Sequence, residues 1–221
     1  MINFKKTYKL PFKYYVPNYI DAFLLQNSLF IRWIKYFKRY LFIILKGQRR
    51  LELSYILPKH QDILWINISA PSFGDSLMDL SSRVLLKGRR IDLFTIKNIA
   101  NIYSDDKRFN NVYSSIELVS KKKYSLIIID SYSTRSIKVK CQIAPKVNFI
   151  GMFGYFNGPE VNRVLFSFHQ MNNFLNYFKS EDNINSSARA TMSISEADKE
   201  IINQINLPER YIAIALGGEW N

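Results

Sequence analysis

Cysteine is almost absent. Cys141 is the only one, so no intrachain disulfide can form, and the chain suits a reducing compartment. Set beside Lys140, it reads as an inert filler rather than a nucleophile. Histidine is equally scarce. His60 and His169 are the only two, which excludes a histidine-rich metal centre, and neither CxxC nor HExxH occurs. The phosphate-cradling patterns GxGxxG and GxxxxGK[ST] are missing. Residues 1–10 carry three lysines but no apolar stretch or small-residue cleavage site follows, so no secretory signal is expected. The most apolar helical stretch near the start is interrupted by four cations between Arg32 and Arg39, too many for a membrane span.

What is present is a globular composition, 48% hydrophobic and 22% charged, which predicts a packed core. The net charge of +13 is unevenly spread. Residues 1–60 hold 12 Lys and Arg against 2 acids, and the remainder holds 19 against 16. The basic signal therefore belongs to the first quarter. Such a stretch attracts nucleic acid, an anionic membrane or an acidic partner.

Residues 1–18 read as an irregular basic arm broken by Pro11 and Pro17. The spacing over 19–46 predicts a helix. Phe30, Trp33, Ile34, Phe37, Leu41 and Ile44 share one face, and Arg32, Lys35, Arg39 and Lys46 share another. Two readings of it stand: a surface helix packing its apolar stripe on the domain, or a helix lying on an anionic membrane. Nucleic acid is not expected as a partner, because charge alone argues for it.

From Gln61 the pattern changes to short apolar runs alternating with helical stretches. Strands are predicted at Asp62–Ser69, Ile91–Thr95, Val112–Ser115, Tyr124–Asp130 and Lys146–Ile150, and helices from Ser76 to about Leu86, over Asn98–Tyr103 and over Ser136–Ile143. This alternation implies an α/β fold with a Rossmann-like parallel sheet. Val161–Phe178 reads as helical, 181–194 as a polar linker, and Ser195–Ile205 as a helix. Tyr211–Leu216 reads as a further buried strand that opens a second α/β domain over 195–221. The expected organisation is thus a basic extension over 1–60, a Rossmann-like domain over 61–180, a linker, and the start of a second domain.

Ligands of parallel sheets bind beyond the carboxyl ends of the strands, which directs attention to the turns at 70–76 and 130–135. In the first turn, Ser72, Gly74 and Asp75 stand where a helix begins. Gly74 allows close approach of a ligand. The helix dipole favours an ionised Asp75, which suits a general base for a hydroxyl; the competing role is a helix cap. In the second turn, Asp130 and Arg135 with neighbouring hydroxyls can meet sugar or phosphate, or form a solvated loop. Gly217 and Gly218 follow a predicted strand, as an anion-binding turn or a plain tight turn.

Three segments in order carry a resemblance. Ile63-Leu64-Trp65-Ile66-Asn67-Ile68-Ser69 followed by Phe73-Gly74-Asp75, then Tyr124–Asp130 with the strand ending at Ile150-Gly151, then Tyr211–Gly218, together resemble the lipopolysaccharide heptosyltransferases, glycosyltransferase family 9. The likeness covers about 61–221. It departs at Ala70-Pro71, where the family has a small or charged residue, and at Ser131-Tyr132, which replace a family glycine.

The resemblance implies a GT-B architecture of two Rossmann-like domains, the first holding a lipid A–core acceptor and the second an ADP-heptose-like nucleotide-sugar donor. It implies inversion at the anomeric centre without a metal or other cofactor, and assigns the base to Asp75. Ser72, Gly74, Asp130, Arg135, Gly217 and Gly218 become expected substrate contacts. The implied location is cytoplasmic, peripheral on the inner face of the cytoplasmic membrane. Because the sequence stops at Asn221, before the family's donor contacts, the chain alone is expected to be inactive in transfer. The alternative is a non-enzymatic membrane-surface α/β module or an inactive remnant of such an enzyme.

Overall fold

The apolar run at 62–67 forms a central strand, β1 (Asp62–Asn67), because both of its faces are covered. Ile63 and Trp65 point into one hydrophobic cluster, and Leu64 and Ile66 into another on the opposite face. A strand buried on both sides has no reason to alternate apolar with polar residues. The computed structural model describes residues 34, 37–70, 72–119, 121–153 and 162–205.

Four further strands lie parallel to β1: β2 (Arg90–Thr95), β3 (Asn111–Tyr113), β4 (Leu126–Ser131) and β5 (Phe149–Phe153). Their order across the sheet is β3-β2-β1-β4-β5, all parallel. The α/β fold with a Rossmann-like sheet is therefore as the alternation of segments implied. The chain reverses its direction of travel across the sheet between β1 and β4. Their carboxyl ends, at Asn67 and Ser131, open the crevice where sheets of this order bind ligands.

Helix α1 (residues 37–45) packs Ile43, fully buried, into the cluster beneath β1 and β4. Helices α2 (Phe73–Asp79), α3 (Lys97–Tyr103), α4 (Ile116–Val119), α5 (Thr134–Ile143), α6 (Arg163–Leu175), α7 (Glu181–Ser187) and α8 (Glu196–Gln204) follow. Residues of α2, α6 and α7 join the cluster with Ile63 and Trp65, while α5 contributes Ile137 and Ile143 to the other. Part of the basic first quarter thus belongs to the sheet domain. The Leu53 amide donates to the Phe149 carbonyl and the Ile56 amide to that of Phe174, at 2.8 and 2.9 Å.

Several boundaries differ from expectation. The helix expected up to Leu86 stops at Asp79 and continues as a tighter 3-10 turn over Ser81–Leu85. That turn buries Arg83, whose guanidinium reaches Asp106 at 2.6 Å with both side chains fully buried. β5 starts three residues later than the Lys146–Ile150 prediction, because Phe149 is the residue that registers against Ile127 of β4. Residues 181–194, expected as a linker, contain α7. Ser180 caps it, Ile184 is fully buried, and Asn185 meets His169 at 3.0 Å, so its polar composition belongs to the exposed face of a docked helix. The segments at 1–33 and 211–218 read above lie outside the described residues.

Candidate functional site

Two turns meet at the crevice, and each is tied down by hydroxyls. At the end of β1, Ser72 takes an extended backbone and caps α2, its Oγ accepting the Asp75 amide at 3.2 Å. The same hydroxyl donates to Asp75 Oδ2 at 2.7 Å. Ser72, rather than Asp75, is therefore the cap. Asp75 sits in the first helical turn.

The second oxygen of Asp75 meets a residue far along the chain. Arg163, the first residue of α6, donates from Nη1 to Asp75 Oδ1 at 2.7 Å. Its Nε and Nη2 grip the two oxygens of Asp79 at 2.8 and 2.6 Å. One guanidinium thus bridges two carboxyl groups four residues apart on one helix face. Asp79 is 3% exposed as a side chain, Asp75 24% and Arg163 31%, so the trio runs from the interior to the surface. Burial pushes the Asp79 carboxyl up to about 7 against the pull of the guanidinium. Arg163 also lies over the ring of Phe153 at the end of β5, 5.7 Å from its centroid.

Below this trio, Ser76 donates to Asn67 Oδ1 at 2.7 Å, pinning α2 to the last residue of β1. Ser167 of α6 donates to the Asp79 carbonyl at 2.7 Å, fixing α6 to the end of α2.

Asp130 has a different environment. It is 1% exposed, and its carboxylate accepts the amides of Ile68, Ser69 and Ser131 at 2.8, 2.6 and 2.6 Å, with the Ser136 hydroxyl at 2.7 Å. Burial pushes its carboxyl up while these four donors favour the ionised form. The side chain staples the turn after β1 to the turn after β4. Ser69 Oγ extends the staple to the hydroxyls of Ser131 and Ser136 at 3.1 and 3.2 Å. Direct contact with a ligand, as expected from the sequence, is closed to a carboxylate so enclosed. Arg135, in the first turn of α5, is exposed and free of ion-pair partners among the described residues.

Ser72 and Gly74 are exposed beside Asp75, so this part of the expected site is assembled in one place. Gly217 and Gly218 lie outside the described residues. The sequence reading missed Arg163 and Asp79. The spacing of Asp75 and Asp79 was the available signal, since carboxylates at i and i+4 share a face and attract a common cation. No signal marked Arg163, 84 residues away from Asp79. Among the described residues, no group of three or more His, Cys, Asp or Glu is arranged to hold a metal.

At Ser131-Tyr132 the ring of Tyr132 occupies the space above Gly151. A Cβ at residue 151 would run into that ring, so the glycine of β5 accommodates the bulky residue after β4. The Tyr132 hydroxyl donates to Glu52 at 2.6 Å, tying the segment after α1 to the sheet.

No protein-family model matches the sequence, and no curated protein matches it significantly. Two solved structures are similar to parts of the chain. One is E. coli ADP-heptose lipopolysaccharide heptosyltransferase II, with a TM-score of 0.44 and 17% identity over 67% of this chain and 51% of that one. The other is E. coli heptosyltransferase WaaC with ADP-2-deoxy-2-fluoro heptose, with a TM-score of 0.38 and 16% identity over 53% of this chain and 50% of that one. The chain spans about half the length of each structure it matches.

Proposed function

We propose that this chain is the acceptor-side part of a nucleotide-sugar-dependent glycosyltransferase of the lipopolysaccharide heptosyltransferase kind, and that Asp75 is its general base. The observation that carries the reading is Asp75 itself. It is a partly exposed carboxylate at the carboxyl edge of β1, beside the crevice between β1 and β4. The sequence resemblance around Phe73-Gly74-Asp75 supports the same role.

In this reading a hydroxyl of the acceptor replaces Ser72 Oγ as the donor to Asp75 Oδ2. The Ser72 hydroxyl proton can rotate off Oδ2 while its oxygen keeps accepting the Asp75 amide as the helix cap. Arg163 holds the opposite oxygen, so the carboxylate keeps its orientation during the exchange. As the hydroxyl oxygen bonds to the anomeric carbon, its proton passes to Asp75. The bond from that carbon to the nucleoside diphosphate breaks with the electron pair leaving on phosphate oxygen. The acceptor is a lipid A–core saccharide and the donor an ADP-heptose-like sugar. Asp130 acts indirectly by fixing the two turns, and Ser72, Gly74 and Arg135 line the acceptor side.

The test is sugar transfer from ADP-heptose to a lipid A–core acceptor by the protein purified from its native cells. Asp75→Asn, which keeps the shape of the side chain and its place beside Ser72, should slow transfer by about 10²- to 10⁴-fold. Equal rates for the variant and the parent would remove Asp75 as the base.

A further inference from the structure

Helix α1 exposes its apolar stripe and buries the opposite face. Ile43 is fully buried, with Tyr40 and Phe42 packed partly beside it. Ile34, Phe37, Leu41, Ile44 and Leu45 are 47%, 51%, 43%, 46% and 73% exposed, although three- and four-residue spacing places them on one side. An ordinary surface helix would turn this stripe inward. Here the narrower face docks on the sheet and the wider apolar face is left outside. A contiguous apolar stripe on a surface marks a docking face.

The charges around the stripe select the occupant. Residues 37–51 contain five Lys and Arg and no acid. Lys38 borders the stripe, and Lys46 and Arg50 extend the exposed basic surface past the end of the helix. A second copy docking face to face would bring these cations against their equivalents. An anionic bilayer supplies both an apolar interior for the stripe and phosphates for the cations. Among the described residues no helix is long and apolar enough to cross a membrane.

We propose that α1 is an interfacial anchor which inserts Leu41, Ile44 and Leu45 into the surface of an anionic lipid bilayer. The inference stands independently of the transferase reading, because it rests on α1 alone.

Co-sedimentation of the full chain with vesicles tests it, using phosphatidylcholine with phosphatidylglycerol against phosphatidylcholine alone. The chain should bind the anionic vesicles and lose binding as salt is raised. The double variant Leu41→Glu/Leu45→Glu, at exposed positions, should retain the circular dichroism spectrum of the parent and bind at least about tenfold more weakly. Lys38→Gln/Lys46→Gln should weaken binding to anionic vesicles only. Undiminished binding by the leucine variant, or no binding by the parent, would overturn the proposal. So would lipid-free dimerisation by sedimentation that the leucine variant abolishes, since it would assign the face to a second copy.

Discussion

Arg163 Nη1 lies 2.7 Å from Asp75 Oδ1 across 88 residues of sequence, and this contact makes the first turn of α2 depend on the first residue of α6. Replacing Arg163 by Gln removes that contact and leaves Asp79 buried without a cation. Loss of one partner from a buried pair typically costs about 3 kcal/mol. Urea unfolding at pH 8, where Asp79 is mostly ionised, should show that loss. Arg163→Lys keeps the charge but not the fork, and should recover only part of it. A shift of under about 0.5 kcal/mol in Arg163→Gln, the size usual for a plain surface change, would contradict the clamp.

Asp79 gives stability a pH dependence of definite sign. Its carboxyl lies at about 7 in the folded chain against 3.8 for an unperturbed group. Between those values the folded state holds the proton more tightly than the unfolded one, so stability falls as pH rises through the window. Asp79→Asn should flatten the slope of the urea midpoint between pH 4.5 and 7. An unchanged slope would assign it elsewhere.

Lys140 predicts a slope of the opposite sign at alkaline pH. It is fully buried at the end of α5, donating to Gln48 and to the Pro145 carbonyl, and burial lowers its pKa from 10.5 to about 8. From pH 8 to 10.5 the unfolded chain binds the extra proton, and this group's contribution to stability rises with pH. Lys140→Met should abolish that rise while preserving the packing against Phe149. Thermal melts at pH 8 and pH 10 of parent and variant provide the comparison.

Gly151 is required by its neighbour. Gly151→Ala should destabilise by about 1–3 kcal/mol, because the added methyl meets the Tyr132 ring inside the core. Combining it with Tyr132→Ala should cost less than the sum of the two changes. Additive costs in a double-mutant cycle would show that the clash is not between these two residues.

The sequence disclosed the sheet far better than the site. The runs at Asp62 and Tyr124 were legible because strands buried on both faces need continuous apolar residues. β5 was misplaced because its start is decided by pairing with β4, a relation no local pattern carries. Helix α7 escaped notice because one buried residue, Ile184, holds it. In the site, Ser72, Gly74 and Asp75 were visible as a turn feeding a helix. Asp130 was visible as a residue, but its enclosure by amides from another strand was not. Helix α1 shows the limit from the other side. Its amphipathic stripe was evident, yet only the packing of Ile43 reveals that the stripe faces outward.

The most direct measurement is calorimetric titration of the chain with a soluble lipid A–core oligosaccharide, in parallel with its Asp75→Asn variant. The account predicts saturable binding by the parent. It also predicts binding weakened by about tenfold in the variant, the cost of losing one charge-assisted hydrogen bond of about 1.5 kcal/mol from the acceptor hydroxyl. No heat with the parent, or identical affinities for the two proteins, would contradict the claim that the acceptor is held at Asp75.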